Sequence, residues 1–142
     1  MNSDSQLGSN STTNSAIPVD GFSLGNVVQA VAAGANFSFA IVNGALFGWG
    51  KNEGGQLGIN NNGPTAPVSA QVYGLTGGVQ AVAAGGSSAC AIVNGGAKCW
   101  GRNTVGQLGN NSTTDSVVPV TVSGQTVGGQ KISVGGQTAC LI

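Results

Sequence analysis

Cys90 and Cys99 stand nine residues apart with Asn94-Gly95 between them, and Cys140 stands alone in a chain that has no histidine. The commonest metal ligand and the commonest general base are therefore both missing. The four acidic residues, Asp4, Asp20, Glu53 and Asp115, lie far apart in sequence. Neither a carboxylate pair, a Ser-His-Asp set nor a metal cluster can be assembled from this stock. Glycine strings such as 83–88 precede neither a helix nor Gly-Lys-Ser/Thr, so they are strand ends and not phosphate loops. No catalytic, metal-binding or cofactor-binding residue is expected, and the chain is read as non-enzymatic. What remains is thiol pairing and asparagine modification. Asn10, Asn36, Asn110 and Asn111 meet the Asn-x-Ser/Thr glycosylation pattern, although a chain this rich in Asn, Ser and Thr also produces such matches by chance. Lys51 and Arg102 each follow a Trp-Gly pair. An anion site is one reading of them; an aliphatic stem over tryptophan with the charge in water is the favoured one.

Those residues recur at a fixed spacing. Trp49-Gly50-Lys51-Asn52 with Gly55-Gln56-Leu57-Gly58 returns as Trp100-Gly101-Arg102-Asn103 with Gly106-Gln107-Leu108-Gly109, and Gln6-Leu7-Gly8 is the tail of a third copy. Trp100 minus Trp49 is 51, and Gln56 minus Gln6 is 50. A period of this length marks a repeat architecture, in which each unit buries its apolar faces against its neighbours. One array over 1–142 is predicted, with the end of a repeat at 1–20, full repeats at 21–72 and 73–122, and the start of another at 123–142. Met1 reads as the start of an excised piece, and the chain as ending in mid-repeat.

Within a unit the elements are short and β-like. The segment 27–33 and its counterparts 79–84 and 131–134 are runs of small apolar residues ending at Gly34, Gly85 and Gly135. Alanine content favours a helix there; flanking glycines and a length of about six residues favour a strand. Segments 37–42 and 45–49 are joined by Asn43-Gly44, and 88–93 and 96–100 by Asn94-Gly95, the residue pair suited to the positive φ of a type I′ hairpin turn. Beyond the Gln-Leu-Gly block, polar loops lead to Pro67-Val68 and Pro119-Val120, where proline suits an edge strand. Each unit is thus four strands.

A two-residue turn fixes the register. Counting outward, Cys90 faces Cys99 in a non-hydrogen-bonded pair with α-carbons roughly 4.5 Å apart, within disulfide reach. A disulfide in an oxidising compartment is expected, with two buried thiols as the alternative. In the first unit the same register sets Phe39 against Gly48, a ring over the bare backbone of a cross-strand glycine. Cys140 occupies the Cys90 position, so it is expected to be unpaired or intermolecular, its partner belonging to a strand absent from the sequence.

The Trp-Gly-(Lys/Arg)-Asn blocks with Gly-Gln-Leu-Gly, and the segments 31–44 and 82–95 before them, resemble the regulator of chromosome condensation family. That resemblance implies four-stranded β-propeller blades. The expected fold class is therefore all-β, a propeller-type array of four-stranded antiparallel blades, about three in number and not closed within one chain. Family members that are nucleotide exchange factors for a small GTPase present a charged face and a wedge, neither of which is visible here, so exchange activity is not carried over.

Charge balances to zero, four basic residues against four acidic. No field exists to gather nucleic acid or anionic lipid. No apolar run approaches the ~20 residues of a membrane span, and 1–5 lacks the basic start of a signal peptide. The main expectation is a secreted or surface-exposed scaffold, extracellular in preference to cytoplasmic, for protein interaction or self-assembly. Own copies would pack head to tail into a ring or filament through edges at Gln6, Leu7, Ile17 and Val19 and at Ala139, Cys140, Leu141 and Ile142. An unidentified protein is a further partner; nucleic acid and membrane insertion are excluded. The rival is an intracellular regulatory propeller resembling exchange factors for a small GTPase. A sugar-binding propeller ranks third, since only Trp49, Trp100 and Tyr73 offer stacking platforms.

Overall fold

The structure, a computed structural model, describes residues 1–21, 24–25 and 27–142. Strands β1 (Val28–Ala33), β2 (Phe37–Val42), β3 (Ala45–Lys51) and β4 (Thr65–Gln71) form one antiparallel sheet in chain order. Strands β5 (Val79–Ala84), β6 (Ser88–Val93), β7 (Gly96–Gly101) and β8 (Ser116–Thr121) form a second sheet of the same order. Strands β9 (Ile132–Val134) and β10 (Ala139–Leu141) pair as the inner half of a third. This is an all-β array of incomplete and complete propeller blades, not closed within the chain.

The hairpin turns set the register as their chemistry requires. Asn43 and Gly44 have φ of 51° and 74°, and Asn94 and Gly95 of 51° and 80°, the left-handed values of a two-residue turn. Phe39 therefore pairs with Gly48, and Cys90 with Cys99. The third strands bend after the tryptophan. Gly50, with φ 101°, sits at a register shift between β3 and β4, and a β-carbon there would lie 2.6 Å from the Asn36 carbonyl oxygen. Only glycine fits that kink, and Gly101 repeats it with φ 98°.

Successive blades meet along β1, β5 and β9. Ala35 N–H donates to the Gly85 carbonyl (3.1 Å) and Gly86 N–H to the Gly136 carbonyl (3.3 Å). A β-carbon on Gly34 would fall 2.7 Å from the Gly85 oxygen, which is why the strand ends converge on glycine. The main core lies between the first two sheets and contains Phe37, Phe39, Ile41, Leu46, Leu57, Val72, Leu75 and Trp100. Residues 16–20 correspond to 117–121 of β8 in sequence yet form no strand. A fourth strand pairs with a third, and among the described residues no third strand lies beside them.

Candidate functional site: blade junctions and the open edge

Each Gln-Leu-Gly block is a tight turn held by an asparagine. Asn52 Oδ1 accepts from Leu57 N–H (3.0 Å), while its Nδ2 donates to the Asn61 carbonyl (3.0 Å). Asn103 repeats this with Leu108 N–H (2.9 Å) and with the carbonyls of Ser112 (2.9 Å) and Thr114 (3.0 Å). Asn2 repeats it again with Leu7 N–H (2.9 Å) and the carbonyls of Ser11 (2.7 Å) and Thr13 (3.1 Å). All three are buried. A buried amide is tolerable because donors and acceptor are all met. The glutamines fold onto their own turns, Gln56 Oε1 accepting from Gly54 N–H (2.8 Å) and Gln107 Oε1 from Val105 N–H (3.0 Å). These asparagines did not stand out as site residues on sequence, although their place after Trp-Gly-basic in two blocks was a signal for them.

Tryptophan then locks one blade to the preceding turn. Trp49 Nε1 donates to the Gln6 carbonyl (3.0 Å), and Trp100 Nε1 to the Gln56 carbonyl (3.0 Å). Trp100 is fully buried, edge-to-face with Phe39 at 5.7 Å between ring centroids. It lies so close over Gly58 that a β-carbon there would stand 2.7 Å from the indole.

The residues singled out by sequence fall into three groups. Cys90 and Cys99 are joined as a disulfide across β6 and β7, α-carbons 4.0 Å apart, and pack with Leu108, Val120, Val122, Ile132 and Val134. Cys140 is an exposed thiol on β10. Of the proposed edges, the Gln6 carbonyl already serves Trp49 and the Ser38 hydroxyl, so it belongs to an internal junction. Leu7, Ile17 and Val19 are exposed, as are Ala139, Cys140 and Ile142, with Leu141 half-buried. Among the asparagines of glycosylation pattern, Asn36 Nδ2 donates to Asp4 (3.0 Å) and Asn110 Oδ1 accepts from Asn103 (3.2 Å). Asn10 and Asn111 are exposed, at left-handed turn positions with φ of 52° and 58°.

The basic residues do not converge on an anion site. Lys51 pairs with Glu53 at 3.2 Å on the surface, and the Arg102 stem lies against Gly54 of the neighbouring block. Among the described residues no group of three or more His, Cys, Asp or Glu could hold a metal ion, and no helix is long and apolar enough to cross a membrane. A cleft of ≈ 260 Å³ opens between the second sheet and β10, lined by Cys99, Gln107, Leu108, Gly109, Val122 and Ala139 among others. The loops that follow the three Gln-Leu-Gly turns, exposed over 12–14, 60–65 and 111–115, occupy equivalent places in successive units and so share one rim.

The regulator of chromosome condensation (RCC1) repeat matches residues 1–41, 43–92 and 94–142. The human probable E3 ubiquitin-protein ligase HERC4 is 34% identical over 98 residues, 68% of this chain and 9% of that protein. The ultraviolet-B receptor UVR8 of Arabidopsis thaliana is 31% identical over 123 residues, 82% of this chain and 27% of the receptor. Among solved structures, Prp20p of Saccharomyces cerevisiae, described with its binding to Gsp1p and histones, superposes with a TM-score of 0.84 at 20% identity, over 99% of this chain and 37% of its own. Human WBSCR16 gives 0.84 at 23% identity, over 100% of this chain and 38% of its own. The chain thus spans less than two fifths of the length of each of these proteins.

These likenesses correct one expectation. The secreted or surface-exposed scaffold, and the extracellular localisation with it, are overturned because the fold recurs in intracellular proteins, yeast Prp20p with its histone and Gsp1p binding and its complex with Kap60 among them. Neutral charge and a cysteine pair had pointed outward, but neither property is confined to the outside of the cell. The repeat region is a non-catalytic scaffold. With its whole length taken up by three matched units, the chain belongs to the regulator of chromosome condensation (RCC1) repeat family.

Proposed function

We propose that this chain is a section of an intracellular regulatory propeller that binds a small GTPase through its rim loops. The supporting observation is a division of labour. The motif tryptophans and glutamine backbones are spent on blade junctions, and the buried asparagines fix the loop backbones at Asn61, Ser112 and Thr114, so that the loops at 60–65 and 111–115 present exposed polar residues from a held backbone. Loops positioned by a rigid scaffold are where binding resides. Prp20p, of the same fold, is described as binding Gsp1p. An exchange factor makes and breaks no covalent bond; it shifts a population by holding the nucleotide-free GTPase more tightly than the nucleotide-bound form.

The test is to titrate the whole chain against a small GTPase of the class Prp20p binds, in nucleotide-free and GDP-bound states, and to follow release of a fluorescent GDP. Preference for the nucleotide-free form is expected, with little salt dependence because the rim carries few charges. Equal affinity for both states, or none for either, would remove the reading. A second reading has its own support: identity to HERC4 is 34%, against 20% to Prp20p. On it the same rim recognises a protein for a ubiquitin ligase, and binding of the GTPase would be absent.

A further inference from the structure

Three Asn-Gly pairs stand in the chain, at 43–44, 62–63 and 94–95. Each is a place where the chain can attack itself. The backbone nitrogen of the glycine neighbours the asparagine side-chain carbonyl, and glycine has no β-carbon to crowd the approach.

The first and third pairs are guarded. Gln29 falls at the register shift between Val28 and Ala30 in β1, and Gln80 at the shift between Val79 and Ala81 in β5. The extra residue of a bulge is left out of the ladder and its side chain is re-aimed. Here both side chains reach a hairpin turn: Gly44 N–H donates to Gln29 Oε1 (2.6 Å), and Gly95 N–H to Gln80 Oε1 (2.7 Å). A hydrogen bond made by the protonated nitrogen disfavours loss of its proton. The second pair has no such guard. Asn62 and Gly63 are exposed in the loop that leads to β4, and the Asn62 side chain makes no hydrogen bond among the described residues. Gly63 N–H donates to Asn61 Oδ1 at 3.2 Å, an acceptor already shared with Asn52 Nδ2 at 3.0 Å. That contact is longer than either guarding bond, and its acceptor is divided between two donors.

We propose that Asn62 is a self-modifying site that converts to aspartate and isoaspartate, and that Gln29 and Gln80 hold Asn43 and Asn94 intact. Gly63 N loses its proton to solvent hydroxide and attacks Asn62 Cγ. A C–N bond forms, and the side-chain nitrogen leaves as ammonia. Water then opens the cyclic imide. Addition at Cγ breaks the new bond and gives aspartate; addition at the Asn62 backbone carbonyl breaks the original peptide bond and routes the chain through the β-carbon as isoaspartate. Nothing is oxidised or reduced: water enters, ammonia leaves, and a neutral amide becomes a carboxylate. In a chain whose four acidic residues balance four basic ones, the new charge falls on an exposed rim loop. The conversion does not depend on what that rim binds.

The test is to incubate the whole chain in mildly alkaline buffer and map its peptides by mass spectrometry. Conversion replaces NH by O, which raises the mass of the affected peptide, and the two products separate by chromatography. The peptide holding Asn62 should convert first. Gln80→Ala, at an exposed side chain, should speed conversion of Asn94 about two- to tenfold, the effect of one hydrogen bond, with Asn43 in the same protein as the unchanged reference. Gly63→Ala fits the loop, since a β-carbon there would meet its nearest neighbour at 3.6 Å, and should slow Asn62 several-fold. In urea the guards are lost with the fold, and the three rates should converge. No conversion at Asn62, or Asn43 or Asn94 converting as fast as Asn62 in the folded chain, would overturn the proposal. Asn94 indifferent to Gln80→Ala, Asn62 indifferent to Gly63→Ala, or a ranking that urea leaves undiminished would overturn it as well. The ranking within the unsubstituted chain decides even if a variant fails to fold.

Discussion

The junction between the first and second sheets and the junction between the second sheet and β9–β10 are built from the same motif and filled differently. In the first, an aromatic cluster of Phe37, Phe39 and Trp100 packs over Leu57 and Gly58. In the second, Cys90 and Cys99 stand where Phe39 and Gly48 stand, and the volume above Leu108 and Gly109 is a cleft. In both, the asparagine Oδ1 accepts from the N–H of the turn's leucine and its Nδ2 donates to the loop that follows. The turn thus forms independently of whether a tryptophan covers it, and the tryptophan supplies the coupling between units. In a repeat array stability is the sum of such unit and interface terms.

The most severe way to break the comparison is to empty the filled junction. Trp100→Ala deletes a fully buried indole and leaves the Gln56 carbonyl without its donor. A loss of about 3–5 kcal/mol is expected, read as a lower urea midpoint. Trp49→Ala, at a half-exposed indole with the same hydrogen bond to Gln6, should cost clearly less. If the two losses are equal, burial by the neighbouring blade is not what distinguishes the junctions.

The clamps come next. Asn52→Ala and Asn103→Ala each strip a buried turn of its side-chain acceptor and donors, and each should cost about 1–3 kcal/mol. The two losses are expected to be of similar size, because each asparagine accepts from a leucine N–H of its turn and donates to the loop beyond it. Chemical denaturation of both variants in parallel makes the check. A much smaller loss at Asn103 would show that the clamp depends on the tryptophan above it.

How much of this was legible follows from what each feature depends on. The period of 51, the Asn-Gly turns and the pairs Phe39 with Gly48 and Cys90 with Cys99 depend on local sequence alone, because a two-residue turn allows one register. The cleft was not legible, since it arises where Gln107, Val122 and Ala139 meet, and no spacing rule brings the turn of one unit to the edge strand of the next. Nor was the failure of 16–20 to form a strand: Pro18-Val19 carries the same local signal as Pro119-Val120, but a strand also needs a partner. The rim offered least, because polar Asn, Ser and Thr loops suit a secreted surface and an intracellular one equally well.

The finest distinction between the junctions is the floor of the cleft, and exchanging it sharpens the comparison most. Cys90→Phe with Cys99→Gly would install the Phe39–Gly48 pair in the second junction. Losing a disulfide that closes so short a loop costs about 2–3 kcal/mol. Burying a phenyl ring beside residue 99 and Leu108, as Phe39 lies beside Gly48 and Leu57 in the first unit, returns about 1.5–3 kcal/mol. The net change in stability without reductant should therefore stay within about 1.5 kcal/mol, the largest difference between those two terms. Reductant separates the two proteins. The parent should lose stability by the disulfide's share when its two sulfurs are reduced, and its count of reactive thiols should rise from one, Cys140, to three. The double variant should be indifferent to reductant. A parent equally indifferent, with three reactive thiols from the start, would mean that Cys90 and Cys99 act as two packed thiols, and that the two junctions share an apolar floor with no covalent difference between them.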